Sequence, residues 1–231
     1  MNELLWAGML LANFGAILLL YRMYGRTGLY IWIPIACIVA NIQVVKTISL
    51  FGQTATLGNI VYASSFLVTD ILSENYGKRS ANRAVAMGFF SLIMMTLLMN
   101  VALIFKPDPS DFAQESLQTI FGFMPRIVLG SLTAYGLSQC HDVAAFHFWK
   151  RLLPGKRFLW VRNNASTMVS QLIDTTVFCT IAFAGVFQRT VFWDIFWTTY
   201  VIKWLVAVLD TPFVYLARHM HENHWVHEVV D

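Results

Sequence analysis

Asp70 and Glu74 stand four residues apart in an otherwise apolar stretch, so on a helix their two carboxylates share one face. The pattern Ser-Gln-x-x-Asp occurs twice, at 138–142 and 170–174. Gln139 with Asp142, and Gln171 with Asp174, each offer an amide and a carboxylate, three residues apart, to one volume. Asn41, Lys46, Lys203 and Asp210 add an amide, two ammonium groups and a further carboxylate inside other apolar stretches. These groups suit directional hydrogen bonding to a polar solute, carriage of a proton, or acid–base work of the kind paired carboxylates perform. An ionisable side chain at the centre of a membrane helix costs about 2.5–3.5 kcal/mol. Such residues have to face a bundle interior or a wet cavity.

The elements that position them are read from composition. Of 231 residues, 57% are hydrophobic and only 13% charged, against roughly 25% charged in an ordinary soluble domain. Mean hydropathy is +0.58. The pattern predicts an all-α integral membrane protein: a polytopic bundle of seven (six to seven) transmembrane helices in one domain over residues 1–231. The spans are expected at about 3–21, 29–50, 57–76, 82–105, 125–149, 164–187 and 193–217. With the N-terminus outside, eleven Lys and Arg fall on inner loops and three on outer ones, which predicts an N-out, C-in orientation. The connection 105–124 is acidic and helix-forming and is expected to lie along the interface. Residues 218–231 read as a short solvated cytoplasmic tail, with His219, His221, His224 and His227 too irregularly spaced for a tight metal site. Cys37, Cys140 and Cys179 sit singly in apolar segments, which fits buried free thiols rather than a disulfide framework or zinc.

With a rise of about 1.5 Å per residue, Asn41, Gln171, Asp174 and Lys203 are expected near mid-span. Asp70, Gln139, Asp142 and Asp210 fall in the half toward the inner side, and Glu74 near the inner interface, within reach of Lys78. One polar layer drawn from five helices is expected, as for a ligand site between transmembrane helices. Tyr62, Phe66 and Tyr135 share two of those helices and could stack on a flat ring.

The stretch TDILSENYGKRSA contains Asp-x-x-x-Glu-x-Tyr-Gly, which resembles the queuosine-precursor transporter family, also known as vitamin uptake transporters. Asn41 with Lys46, and the run from GSLTAYGLSQCHD to RNNASTMVSQLIDTTVF including Arg162, resemble it as well, so that the likeness covers about residues 35–215. Some members have six spans, which makes the first span here look like an addition.

The resemblance implies import of a 7-deazapurine across a bacterial inner membrane for salvage into transfer-RNA modification: 7-cyano-7-deazaguanine, 7-aminomethyl-7-deazaguanine or queuine. The residues suit such a ligand. A carboxylate, Asp70 and one of Asp142 or Asp174, accepts the ring N–H and exocyclic amine together, while Asn41, Gln139, Gln171 and Lys203 donate to the carbonyl and ring nitrogen.

No cofactor, metal or directly bound nucleic acid is expected. Coupling to protons or to sodium is left open, as is a homodimer through small residues such as Gly130 and Ser131. The chain lacks a Walker A pattern and so does not hydrolyse ATP itself. Two other readings stand beside import by this chain alone. One is a substrate-capture subunit of a multi-component importer. The other is an intramembrane hydrolase using Asp70 and Glu74, against which stands the absence of HExxH and Gly-x-Ser-x-Gly patterns.

Overall fold

The computed structural model describes residues 1–152 and 159–228; at 139, 142–143, 146–147, 149–152 and 159–167 it describes the backbone alone. Helices α1 (Asn2–Gln43), α2 (Asn59–Tyr76), α3 (Lys78–Ala102), α4 (Gln114–Phe121), α5 (Met124–Leu152), α6 (Leu159–Phe183), α7 (Arg189–Leu209) and α8 (Thr211–Glu222) account for most of the chain. Strands β1 (Thr47–Leu50) and β2 (Gln53–Thr56) form one antiparallel hairpin between α1 and α2. Among the described residues, Asn2–Gln43, Lys78–Ala102, Gln114–Ser138 and Arg189–Glu222 are long and apolar enough to cross a membrane, and Met168–Phe183 is a shorter apolar helix. The protein is a helical membrane protein.

A straight helix of 42 residues would reach about 63 Å, twice the roughly 30 Å of a hydrocarbon core. Instead α1 folds back at Gly25, whose backbone (φ 53°, ψ −135°) is open to glycine and strained for other residues. Beyond the turn the chain returns so closely that a Cβ on Gly28 would lie 2.3 Å from the carbonyl oxygen of Leu20. The first arm buries Trp6, Leu10, Phe14, Ile17 and Tyr21, a stripe at helical spacing. That stripe and Leu29 and Ile33 of the second arm close on Leu67, Ile71 and Leu72 of α2. A second core joins α5, α6 and α7 through Ile127, Cys179, Phe183 and Ile195. Arg126 fastens α5 to the end of α6 by donating to the carbonyls of Ile181 and Ala184, both at 2.5 Å.

Helix α1 ends at Gln43, short of the position 50 expected from hydropathy, so Lys46 leaves the span and stands in the approach to the hairpin. The reason is local. Phe51 and Gly52 both hold positive φ (51° and 79°), the requirement of the two-residue turn that matches strand twist. The flanking Thr47, Ile48, Thr54 and Thr56 are β-branched. Leu50 and Ala55 are as buried as helical core residues, which is why hydropathy does not separate them from a span. The hairpin packs against the middle of α7, where Thr198 donates to the carbonyl of Thr54 at 3.2 Å.

At the other end, the segment expected as one span over 193–217 is two helices, divided at Asp210 with Pro212 opening α8. The described part of the expected tail, from residue 218 on, is largely exposed but makes specific contacts. Helix α8 continues to Glu222, and its Ala217 and Met220 are core residues. His227 N–H donates to the carbonyl of Arg22 at 2.9 Å. The Glu228 carboxylate accepts from Arg26 N–H at 3.2 Å and from the Tyr76 hydroxyl. His221 and Asn75 meet the buried Tyr21 hydroxyl at 3.2 and 2.9 Å.

A Cβ at Gly25 would lie 2.3 Å from a Glu228 carboxylate oxygen, so Gly25→Ala combines backbone strain of roughly 1–3 kcal/mol with displacement of the tail. We expect it to lower the melting temperature of the detergent-solubilised protein by several degrees, and Glu228→Ala to lower it less. Wild-type melting of Gly25→Ala would exclude the fold-back geometry.

Candidate functional site

Lys203, in the middle of α7, is buried and is met by α6. Its ammonium donates to the Asp174 carboxylate and, at 3.3 Å, to Thr175 Oγ1. It also lies 5.8 Å from the centre of the Tyr62 ring on α2, within cation–π range. In a medium of low dielectric the attraction of this pair is large but so is the desolvation it has to offset, and the hydroxyl of Thr175 helps satisfy the remaining donors.

The pair separates two cavities. Toward the hairpin, Asn41, Asn59, Tyr62, Ser131, Asp174, Thr199 and Lys203 enclose about 40 Å³, room for a few waters at most. Asn59 donates to Thr199 Oγ1 at 3.0 Å, and Ser131 to Asn41 Oδ1 at 3.4 Å. Gly58 makes this closure tight: a Cβ there would lie 2.2 Å from the carbonyl oxygen of Ala40. Toward the tail the cavity widens to about 550 Å³, inside the 300–1,000 Å³ range of small-molecule sites. Its walls carry Tyr62, Phe66, Asp70, Tyr135, Gln171 and Asp174, and it extends past Ser73 to Lys78 and Asn82. Tyr62 and Phe66 meet edge to face at 5.5 Å. Tyr135 meets Phe89 in the same way at 4.8 Å.

The structure thus brings together Asn41, Tyr62, Phe66, Asp70, Tyr135, Gln171, Asp174 and Lys203 of the residues named from sequence, in two tiers rather than one layer. Asn41 joins the hairpin-side tier near the end of its helix, because α1 stops two residues later. Asp70 and Gln171 belong to the tail-side tier. Glu74 is not brought to them. It is half-exposed and forms an ion pair with Arg218 of α8 at 2.8 Å, rather than with Lys78. The side chains of Gln139, Asp142 and Arg162 lie outside the described residues. Asn59, Ser131 and Thr199 were missed from sequence. Asn59 opens α2 and reads as an ordinary helix start, and single hydroxyls in apolar helices carry no signal of their own.

Two cavities with polar and aromatic linings, one narrow and one wide, thus lie among apolar helices on either side of a buried ion pair, an arrangement suited to a small polar solute in a helical membrane protein. Residues 56–217 match the family described as "Putative vitamin uptake transporter", and the chain belongs to that family. It is 45% identical over 222 residues to the "Probable queuosine precursor transporter" of Bacillus subtilis (strain 168), covering 96% of this chain and 97% of that one. It is 28% identical over 180 residues to the "Queuosine precursor transporter" of Escherichia coli (strain K12), covering 74% and 75% of the two chains. A "Probable queuosine precursor transporter" of Haemophilus influenzae is 28% identical over 134 residues, 58% of this chain and 54% of that one. No solved structure matches the chain.

Removing one partner of a buried ion pair leaves the other charge uncompensated, at a cost of about 3–5 kcal/mol. We expect Lys203→Met and Asp174→Asn each to lower melting temperature markedly, and the double variant to recover most of the loss. Additive losses in a double-mutant cycle would exclude the pairing.

Proposed function

We propose that the chain imports a queuosine precursor, a 7-deazapurine, across a bacterial inner membrane. The relatives' names support the substrate class, and the wide cavity supports the binding mode. The carrying observation is Asp70. It lines that cavity beside Gln171 and three aromatic rings and has no ion-pair partner among the described residues. A guanine-like edge presents a ring N–H and an exocyclic amine side by side, and one carboxylate accepts both. Asp70 takes that role from one wall and Asp174 faces it from another. Gln171 donates to the carbonyl side, Lys203 acts from behind through its ion pair with Asp174, and Tyr62, Phe66 and Tyr135 bracket the ring plane. Asn41 belongs to the hairpin-side tier that the ligand crosses on entry.

The proposal includes seven spans with the N-terminus outside. The two arms of α1 supply the first two, and α2, α3, α5, α6 and α7 with α8 the rest. The hairpin end is then the outer side and the tail end the inner side, so the cavity described above widens toward the cytoplasm and the ion pair with the hairpin closes the outside. In this reading the conformation is the releasing half of an alternating cycle.

Two measurements test this. Transfer RNA from a bacterium that neither makes nor imports the precursor should regain queuosine when this chain is expressed and nanomolar precursor is supplied. Asp70→Asn, in protein that still reaches the membrane, should weaken that uptake about tenfold or more, since losing a charged hydrogen-bond partner costs roughly 1.5–3 kcal/mol. Absence of queuosine with well-inserted wild type, tested with all three precursors, would sink the substrate assignment. For topology, single cysteines replacing Ser110 and Asn223 in a cysteine-free chain should react with an impermeant maleimide on intact cells at 110 alone.

A further inference from the structure

Asp210 has no part in the substrate site as drawn, yet it is 3% exposed. It stands where α7 gives way to α8, at the N-cap of α8. An aspartate there ordinarily turns its carboxylate onto the free N–H groups of the first turn. Here the backbone carbonyl of Asp210 takes the N–H groups of Phe213 and Val214 at 2.8 and 3.0 Å, and the side chain makes no capping bond. It lines instead a pocket of about 220 Å³ together with Asp70, Gln171, Lys203 and Trp204. Three polar atoms on that wall, Asp210 Oδ2, Gln171 Oε1 and Trp204 Nε1, are buried and have no hydrogen-bond partner among the described residues.

Charge decides what such a pocket holds. Lys203 borders it, but its ammonium is committed to Asp174 and Thr175. Glu74 and Arg218, toward the tail, satisfy each other. Asp70 from α2 is the charged group facing Asp210 that no described cation meets. Of the three carboxylates, Asp174 and Asp210 are buried and Asp70 stands at the exposed rim of the pocket, and the one ammonium nearby is taken by Asp174. The buried Asp210 carboxylate, with Oδ2 unpartnered and Asp70 across the pocket, is costly as a bare anion and calls for a positive charge beside it.

We infer that Asp70 and Asp210, with the Gln171 carbonyl, hold one monovalent cation, a proton or a sodium ion, whose movement drives transport. The site takes the cation up on one side of the membrane and releases it on the other. Asp70 lines both this pocket and the wide cavity, so the charge bound in one is felt in the other. Cation and substrate are thereby coupled through one carboxylate. The inference rests on the transporter reading, but the cation site can be measured without any transported solute.

The test uses full-length protein in lipid nanodiscs. Infrared spectra at neutral pH report a protonated carboxyl through its C=O stretch, and equilibrium binding of ²²Na⁺ reports sodium. Wild type should show one of the two signals, and Asp210→Asn should abolish it, with Asp210→Ser as the second variant should the first fail to fold. In proteoliposomes an inward gradient of that same cation should raise the initial uptake of 7-cyano-7-deazaguanine several-fold in wild type, and leave Asp210→Asn unaccelerated. Wild type showing neither signal, or a folded Asp210 variant keeping it, overturns the inference. An intact cation signal without deazapurine uptake overturns the substrate assignment and leaves the cation site standing.

Discussion

A lysine carried into the middle of an apolar helix has to meet an anion, and most of this architecture follows from how Lys203 does so. Its partner Asp174 comes from α6, the ring beneath it from α2, and its own helix is α7. The pair therefore fixes three helices about one point. Because it is buried, it also sits between the narrow cavity on the hairpin side and the wide one on the tail side, with Asp174 lining both. Exchanging the pair for apolar residues of similar volume would in general cost a protein little stability. Its value here lies in position: under the proposed function it is the closed side of the path, a barrier made of charges.

The hairpin braces the helix that carries Lys203 from outside the bundle. Non-helical backbone beside membrane helices is tolerated where protein covers it, and one face of β1 and β2 is covered in this way. Their inner residues, Leu50 and Ala55, are buried, and Thr54 is held by Thr198 on α7. The segment after β2 then supplies Gly58 and Asn59 to the narrow tier. A helix continued to position 50 would have filled that space with its own cylinder and left no place for an amide to join Thr199.

The membrane class, the apolar helices and most of the polar residues at the cavity were legible in the sequence, because the cost of burying charge leaves a plain contrast between a few polar residues and their surroundings. Helix ends were less so. Hydropathy scores Ile48 and Leu50 the same in a strand as in a helix, and the Phe51-Gly52 turn signal is a matter of two backbone angles. Asp70 and Glu74 look equivalent by spacing, yet one lines the cavity and the other meets Arg218, a residue 144 positions away. No local pattern encodes that distinction. Asp210 illustrates the same limit: at the junction of two helices its type suggests a cap, and only the packing of α2 and α6 turns it toward a pocket.

The turn at Gly25 bears on how the chain is made. Its two arms leave the ribosome as a helical hairpin whose bend holds a backbone that no ordinary residue adopts comfortably. The groups that close the bend, on His227 and Glu228, emerge only after every helix: Arg26 and Glu228 are separated by 202 residues. Throughout synthesis the early hairpin thus carries an open joint, and docking of the tail reports that α7 and α8 have been threaded and seated. Until then the bend, the Tyr21 hydroxyl and Glu74 all lack the partners that α8 and the tail bring to them.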